Sequence, residues 1–152
     1  MVIPSRVAAR VIVLDHSDRV LLFEGRDLSD RSDSVRFWFT VGGGVDVGES
    51  LLHAAERELA EETAMTEIAI VGPFHRRAFD FLDHGEPLHQ IEHFFAARVP
   101  APSKLNCDGW TDLERTAVTR SRWWSAEDLR VADVTYFPED LPDLIERAAE
   151  LV

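Results

Sequence analysis

The sequence predicts an α/β fold in which helices cover a mixed β-sheet. Segments rich in β-branched and aromatic residues, typical of strands, alternate with two substantial amphipathic helices. The clearer helix, over residues 50–63, follows a short aromatic strand that runs into three glycines. Strands and helices of this kind bury their apolar sides against one another in layers, so a sheet with helices packed on it is expected.

The length and the charge of the chain narrow the classes of protein it can belong to. At 152 residues it is expected to form a single domain over residues 1–152. The 16 basic and 28 acidic residues give a net charge of −12. Such an acidic chain repels polyanions, so neither nucleic acid nor an anionic membrane is expected as a partner. No run of about 18 apolar residues occurs, and the first residues do not resemble a secretory signal, so a cytoplasmic location is expected.

Several shorter segments complete the predicted architecture. Cys107 is the only cysteine, which excludes a disulfide framework and a multi-cysteine zinc site. Strands are predicted over residues 8–14, 20–23, 37–41, 68–74, 77–82, 90–99 and 121–124. Loops are predicted over residues 27–36 and 100–111, and a turn over residues 83–86. Short and terminal helices are predicted over residues 126–129 and 141–151.

The helix over residues 50–63 carries the residues with the strongest chemical signal. Ser50 can cap its first turn, and Leu51, Leu52, Ala55 and Leu59 are predicted to form its buried stripe. Three glutamates, Glu58, Glu61 and Glu62, stand at positions i, i+3 and i+4 and therefore project from one edge of the helix.

Carboxylates gathered on one edge repel one another unless a cation lies among them, and hard oxygen ligands suit Mg²⁺ or Mn²⁺. The pattern alone is more often a solvated helix face. Two upstream features favour a cation site beside a phosphate: the glycines Gly42, Gly43, Gly44 and Gly48, and the acid Glu49. Glycines permit the close backbone approach that a loop needs in order to lie against a phosphate chain.

The stretch GGGVDVGESLLHAAERELAEETAM resembles the signature of the Nudix hydrolases, G-x5-E-x7-R-E-U-x-E-E-x-G-U, in which U is a bulky aliphatic residue. Over residues 43–65, the glycine, arginine and acidic positions and both aliphatic positions agree, and only the final glycine is replaced, by Ala64. FWFTVGGG and SRWWSAEDL resemble the flanking elements of that family. The resemblance implies a Nudix α/β/α sandwich and hydrolysis of a diphosphate linkage, with Mg²⁺ as cofactor and Mn²⁺ as a substitute.

The resemblance also assigns roles within the signature. Glu58, Glu61 and Glu62 match the metal ligands, and the carbonyl of Gly42 or Gly43 is a further candidate ligand. Gly43, Glu49 and Arg57 match the residues that hold the loop against the helix. The general base is left open between a glutamate of the signature and Glu114, which is also a candidate metal ligand.

Substrate contacts outside the signature are weaker predictions. Arg26 and Arg36 are candidate phosphate contacts, although isolated arginines are more often solvated or paired. Trp38 could stack on a base, although a tryptophan on a strand is more often part of the core. Glu92 lies on a strand expected to face the site, where it could serve catalysis, metal or substrate, or instead pair with a nearby arginine or histidine.

Two other functions compete with the pyrophosphohydrolase that acts on a small nucleotide or related diphosphate. One is a catalytically silent Nudix domain that binds a nucleotide, which the intact acids disfavour. The other is an mRNA-decapping enzyme, which the charge of −12 disfavours. Many relatives form homodimers, so the resemblance allows one here. The substitution of Ala64 is expected to cost about 1 kcal/mol if that position keeps a positive φ.

Overall fold

The computed structural model describes residues 3–26, 32, 35–100 and 118–152. Its strands are β1 (Ser5–Leu14), β2 (Val20–Arg26), β3 (Arg36–Gly44), β4 (Ile70–Asp83), β5 (Glu86–Arg98), β6 (Val118–Trp124) and β7 (Tyr136–Phe137). Its helices are α1 (Leu51–Thr63), α2 (Ala126–Val131) and α3 (Leu141–Leu151). Glu114 and nearly all of the predicted loop over residues 100–111 lie outside the described residues, as does most of the predicted loop over residues 27–36.

In this part of the chain the strands form one curled, mixed sheet of seven strands with β1 near its centre. On one side β1 pairs in parallel with β5, and on the other it pairs antiparallel with the end of β3. The remaining pairs are β4 with β5, and β2 with β1, β3 and β6, all antiparallel, while β7 lies parallel to β3. The central position of β1 and β5 brings side chains that are about 80 residues apart in sequence onto one face of the sheet.

Helices cover both faces of the sheet, which confirms the predicted α/β/α arrangement. The core under α1 is built from alternate residues of the central strands, among them Val11, Val13, Leu21, Phe23, Val41 and Phe95. The core under α2 and α3 contains the residues of opposite parity, among them Ile12, Leu14, Leu22, Trp38, Phe94 and Trp124. Because successive strand residues point to opposite faces, a strand buried on both faces is apolar at nearly every position.

Two predictions of local structure need correction, and one short strand was not predicted. Residues 68–74 and 77–82 are not two strands: β4 is one strand, with a register shift between Val71 and His75 around the Gly72-Pro73 pair, where proline cannot donate to the ladder. Leu52 was predicted to belong to the buried stripe of α1, but it faces solvent and is 43% exposed. The strand β7 was not predicted, because it has only two residues and is defined by its pairing with β3.

The predicted helix ends are confirmed where a side chain caps them. The hydroxyl of Ser50 accepts from the N–H of His53, and the hydroxyl of Ser125 accepts from the N–H of Asp128. Within the described part of the chain, no helix is both long and apolar enough to cross a membrane.

Candidate active site

The turn between β3 and α1, residues 45–50, is closed by Glu49. One oxygen of its carboxylate, Oε1, accepts from the backbone N–H of Asp46 at 3.0 Å, and the N–H of Glu49 donates to the carbonyl of Asp46 at 3.0 Å. The side chain of Glu49 is only 6% exposed. This acid therefore sits inside the turn, in reach of the first residues of the helix.

Arg57 joins that turn to the helix. Its Nε and Nη2 donate to the two oxygens of Glu49 at 2.8 and 2.9 Å, and Nη2 also donates to the carbonyl of Gly44 at 2.9 Å. The hydrogen bonds from Arg57 and from the N–H of Asp46 hold the pKa of the Glu49 carboxyl at about 2, and the bond to Glu49 raises the pKa of Arg57. Turn and helix are thus connected by a bidentate ion pair, in the place that the sequence predicts.

The acids Glu58, Glu61 and Glu62, which we call the acidic edge, lie on α1. Glu58 and Glu62 face the end of β3, whereas the side chain of Glu61 is 50% exposed. Arg57 Nη1 donates to Glu58 at 2.9 Å and to Glu61 at 3.3 Å, so these two carboxylates converge on one nitrogen. The Glu58 carboxylate lies against Gly43 so closely that a Cβ there would stand 2.6 Å from its Oε1. Burial raises the pKa of Glu58 despite its bond from Arg57.

Glu62 is 7% exposed, and its Oε2 accepts from the N–H of Gly42 at 3.1 Å. Glu58 and Glu62 therefore contact successive residues of β3. Among the described residues, no three His, Cys, Asp or Glu side chains are arranged around a common point as a metal would require. The donor set still suits a hard divalent cation, since it consists of carboxylate oxygens beside backbone carbonyls.

A cavity of about 640 Å³ opens on the sheet. Glu58, Glu61 and Glu62 are not among its lining residues, but Arg10, which lines it, donates to the carbonyl of Gly42. Six phenylalanines from four strands form much of its wall: Phe37, Phe39, Phe79, Phe81, Phe94 and Phe137. Its polar lining comes from Arg10, Arg26, Thr40, Arg77, Gln90, Glu92 and Glu139. An apolar cavity of this size with a few polar groups is the usual form of a small-molecule site.

Glu92 lies at the floor of the cavity and is 3% exposed. Its oxygens accept from Arg10 Nε at 2.9 Å, from Gln90 Nε2 at 3.0 Å and from Arg77 Nε at 2.6 Å. Although burial opposes ionisation, the charge of Arg10 and the hydrogen bonds from Arg77 and Arg10 lower the pKa of Glu92. The sequence left Glu92 open between a role in the site and a pairing with arginine or histidine, and the structure shows the pairing with arginines.

The other predicted substrate contacts are divided by the structure. Arg26 lines the cavity, whereas Arg36, its cross-strand neighbour, does not line it and donates to the carbonyl of Val35 at 3.1 Å. Of the two alternatives for Trp38, base stacking and the core, the structure shows the core. The side chain of Trp38 is 2% exposed and packs edge-on against Trp124 in the core under α2 and α3, on the other side of β3 from Phe37 and Phe39.

Sequence reasoning missed Arg10, Arg77 and most of the phenylalanine wall. The sequence contained a signal for Arg10, because it interrupts an apolar stretch of β1 and a buried charge requires a partner of opposite charge. Glu92 gave a weaker signal, since polar residues surround it on β5. Nothing local indicates that the two residues are each other's partners.

Comparison with known proteins decides the family. The model of the NUDIX domain matches residues 4–146. The chain belongs to the Nudix family. Its similarity extends to an RNA pyrophosphohydrolase from Mesorhizobium japonicum, 34% identical over 70 residues, which are 46% of this chain and 38% of that protein. A putative 8-oxo-dGTP diphosphatase from Bacillus subtilis is 38% identical over 78 residues, which are 50% of this chain and 48% of that protein.

Among solved structures, the dihydroneopterin triphosphate pyrophosphohydrolase of E. coli resembles this Nudix chain with a TM-score of 0.68. The similarity covers 99% of this chain and 100% of that one at 21% identity, which supports the shared fold. The matched segments span less than half the length of the two curated relatives.

Proposed function

We propose that this Nudix protein is a pyrophosphohydrolase that depends on a divalent cation and cleaves the diphosphate linkage of a nucleotide or nucleoside diphosphate derivative. One observation carries the proposal: the acidic edge is fitted to the glycines of β3, with Glu58 in the space a Cβ of Gly43 would need and Glu62 bonded to the Gly42 N–H. The names of the two curated relatives, a pyrophosphohydrolase and a diphosphatase, support the same class of reaction.

The cofactor in this proposal is Mg²⁺, with Mn²⁺ as a substitute. Glu58, Glu61, Glu62 and the carbonyl of Gly42 would hold it, and Glu114 is a further candidate ligand. A bound divalent cation neutralises phosphate oxygens and makes a coordinated water a better nucleophile. Arg57 keeps two of the carboxylates turned toward each other, which is the positioning that a ligand set needs.

The substrate would lie across the cavity and the acidic edge. Its phosphates belong at the end lined by Arg10, next to Gly42, and its ring system belongs among the phenylalanines, where base stacking is worth about 1–3 kcal/mol. Arg26 supplies a further positive charge at the cavity wall. The cavity volume lies within the range of roughly 300–1,000 Å³ typical of small-molecule sites.

In the reaction, a water oxygen forms a bond to phosphorus while the bridging P–O bond breaks. The proton of the water passes to a carboxylate, either one of the acidic edge or Glu114. The bridging oxygen leaves with the second phosphate, so the products are two phosphate-bearing molecules. Positioning and charge stabilisation account for most of the catalysis in such phosphoryl transfers.

The test is a release assay on nucleoside triphosphates, a dinucleoside polyphosphate and ADP-ribose, with Mg²⁺ and with Mn²⁺. The wild type is expected to cleave at least one of them. Glu62→Gln is expected to lower turnover about 100-fold or more, which is ~2.7 kcal/mol in the barrier, while the protein stays folded. Cleavage in H₂¹⁸O then shows which phosphorus the water attacks.

The matched control is Glu56→Gln, since Glu56 is exposed on the same helix but does not belong to the acidic edge. It should retain wild-type turnover. Wild-type turnover by Glu62→Gln would refute the assignment of the acidic edge. Nucleotide binding without cleavage of any substrate would favour the silent binding domain instead.

A second candidate substrate is the 5′ end of an RNA that carries a triphosphate. The similarity to an RNA pyrophosphohydrolase favours it, whereas the net charge of −12 opposes it. A 5′-triphosphate oligonucleotide in the same assay separates the two, because the small-nucleotide proposal requires the mononucleotide to be cleaved faster. The cytoplasmic location and the homodimer stay predictions.

A further inference from the structure

Arg10 connects the floor of the cavity to the acidic edge. Its Nε donates to Glu92 at 2.9 Å, while its Nη1 donates to the carbonyl of Gly42 at 3.0 Å and approaches the carbonyl of Thr40 at 3.4 Å. The side chain is 18% exposed. A planar guanidinium can make these bonds in two directions at once, which a lysine ammonium on a flexible stem does less well.

The backbone of Gly42 is enclosed by Arg10. Its φ of +142° is one that side chains rarely adopt. A Cβ at this position would stand 2.3 Å from the carbonyl oxygen of Ala9 and 2.8 Å from Arg10 Cδ. The stem of Arg10 thus packs on Gly42 while its head group caps the carbonyl of the same residue.

Gly42 in turn contacts the acidic edge. Its N–H donates to Glu62, and its carbonyl is the candidate cation ligand of the backbone. A change in the orientation of Gly42 would therefore move a carboxylate and a carbonyl together. On the other side, Glu92 fixes Arg10, and Arg77 and Gln90 fix Glu92.

We propose that Arg10 is a positioning residue for the acidic edge: by fixing Gly42 it orients Glu62, and Glu92 holds Arg10 in the geometry that this requires. The inference depends on the proposed function in one respect, which is that the acidic edge binds a cation. The competing account is that Arg10 contributes nothing but positive charge near the phosphates.

The first experiment needs neither cation nor substrate. Amide hydrogen exchange of Gly42 is followed by NMR in the wild type, Arg10→Met, Arg10→Lys and Glu92→Gln. We expect exchange at Gly42 to accelerate about 10-fold or more in both Arg10 variants, since the lost contacts allow the Gly42–Glu62 bond to open. Glu92→Gln should show a smaller acceleration.

Arg6→Met is the matched control. Arg6 precedes Arg10 on the same face of β1 and donates to Gln90 at 2.8 Å, so it reaches Arg10 only through Gln90 and Glu92. Its substitution should therefore change exchange at Gly42 less than Glu92→Gln does. Equal exchange at Gly42 in the wild type and in folded Arg10→Lys would overturn the inference, and so would equal acceleration by Arg6→Met. Arg10→Lys decides the question if Arg10→Met does not fold.

The second experiment is Mn²⁺ binding measured by electron paramagnetic resonance. Positioning predicts weaker binding by about 10-fold in both Arg10→Met and Arg10→Lys, within the range typical of residues that orient metal ligands. Charge alone predicts tighter binding in Arg10→Met and no change in Arg10→Lys. Absence of Mn²⁺ binding to the wild type would count against the proposed function, and the exchange result at Gly42 would then still decide the inference.

Discussion

Two arginine–glutamate pairs flank the candidate site, and they arise in different ways. Arg57 and Glu49 are 8 residues apart and form a bidentate pair between a turn and the helix that follows it. Arg10 and Glu92 are 82 residues apart and pair only because β1 and β5 lie side by side in the sheet. Both carboxylates are nearly inaccessible, at 6% and 3% exposed.

The difference shows which parts of a site a sequence pattern can reveal. A pair within one turn and one helix has a fixed spacing, so it recurs as a motif. A pair between distant strands has no fixed spacing, because the length of the intervening chain is free to vary. The arginines of both pairs nevertheless donate to the same segment, the glycines at the end of β3: Arg57 to the carbonyl of Gly44 and Arg10 to that of Gly42.

The largest effect on turnover outside the acids themselves is expected from Gly43→Ala. The new Cβ would displace the Glu58 carboxylate, which is the end of a flexible side chain, so the fold should survive. Turnover should fall by about 100-fold, or ~2.7 kcal/mol in the barrier, because a candidate cation ligand is moved. Steady-state kinetics and a thermal melt measure the two effects separately.

Gly44→Ala is the control for this substitution, because a Cβ at Gly44 meets nothing within 4 Å among the described residues. It should leave turnover within about 3-fold of the wild type, as expected for a change that displaces no neighbouring group. Equal losses of turnover in both variants would mean that the end of β3 tolerates no side chain at all. The contact between Gly43 and Glu58 would then not be the cause of the loss.

A smaller effect is expected from Glu49→Gln, which weakens the local pair. Turnover should fall by about 10-fold, a typical loss for a residue that orients ligands indirectly. The melting temperature near pH 7 should fall as well, because the pKa of Glu49 is about 2 in the folded protein against an ordinary value of 4.5. A lowered pKa means that the ionised carboxylate stabilises the fold.

The pH dependence of this effect follows from the same shift. The stabilisation is fully present above about pH 4.5 and is lost as the pH falls toward 2. The difference in melting temperature between wild type and Glu49→Gln should therefore shrink between about pH 5 and pH 3. A difference that stays constant over this interval, measured by circular dichroism, would mean that the ionised pair is not its source.

The smallest effect concerns the end of α1. Ala64 has a φ of 62° and donates its N–H to the carbonyl of Ala60 at 2.8 Å, so alanine adopts the left-handed conformation that glycine has in the family signature. Ala64→Gly should stabilise the protein by about 0.5–1 kcal/mol, since relief of strain exceeds the added freedom of the unfolded chain. Chemical denaturation measures it, and a loss of stability would contradict the prediction.

The local features of this protein could be predicted from the sequence, whereas those that depend on contacts between distant strands could not. The cap by Ser50 and the edge formed by Glu58, Glu61 and Glu62 follow from local helical patterns. The bounds of α3 were predicted correctly for the same reason. The ion pair of Arg57 with Glu49 follows from the resemblance to the Nudix signature, whose spacing fixes both positions. The sequence left Trp38 open between the substrate site and the core, because its face of β3 depends on which helices cover the sheet.

The family signature, the strands and helices other than β4 and β7, and the acidic edge were determined by the sequence alone, because each depends on residues that are neighbours along the chain. The partner of Glu92, the enclosure of Gly42 by Arg10 and the phenylalanine wall of the cavity were decided only by the tertiary structure. The physical reason is that the register between β1 and β5 follows from burial of both faces of the whole sheet, to which every strand contributes.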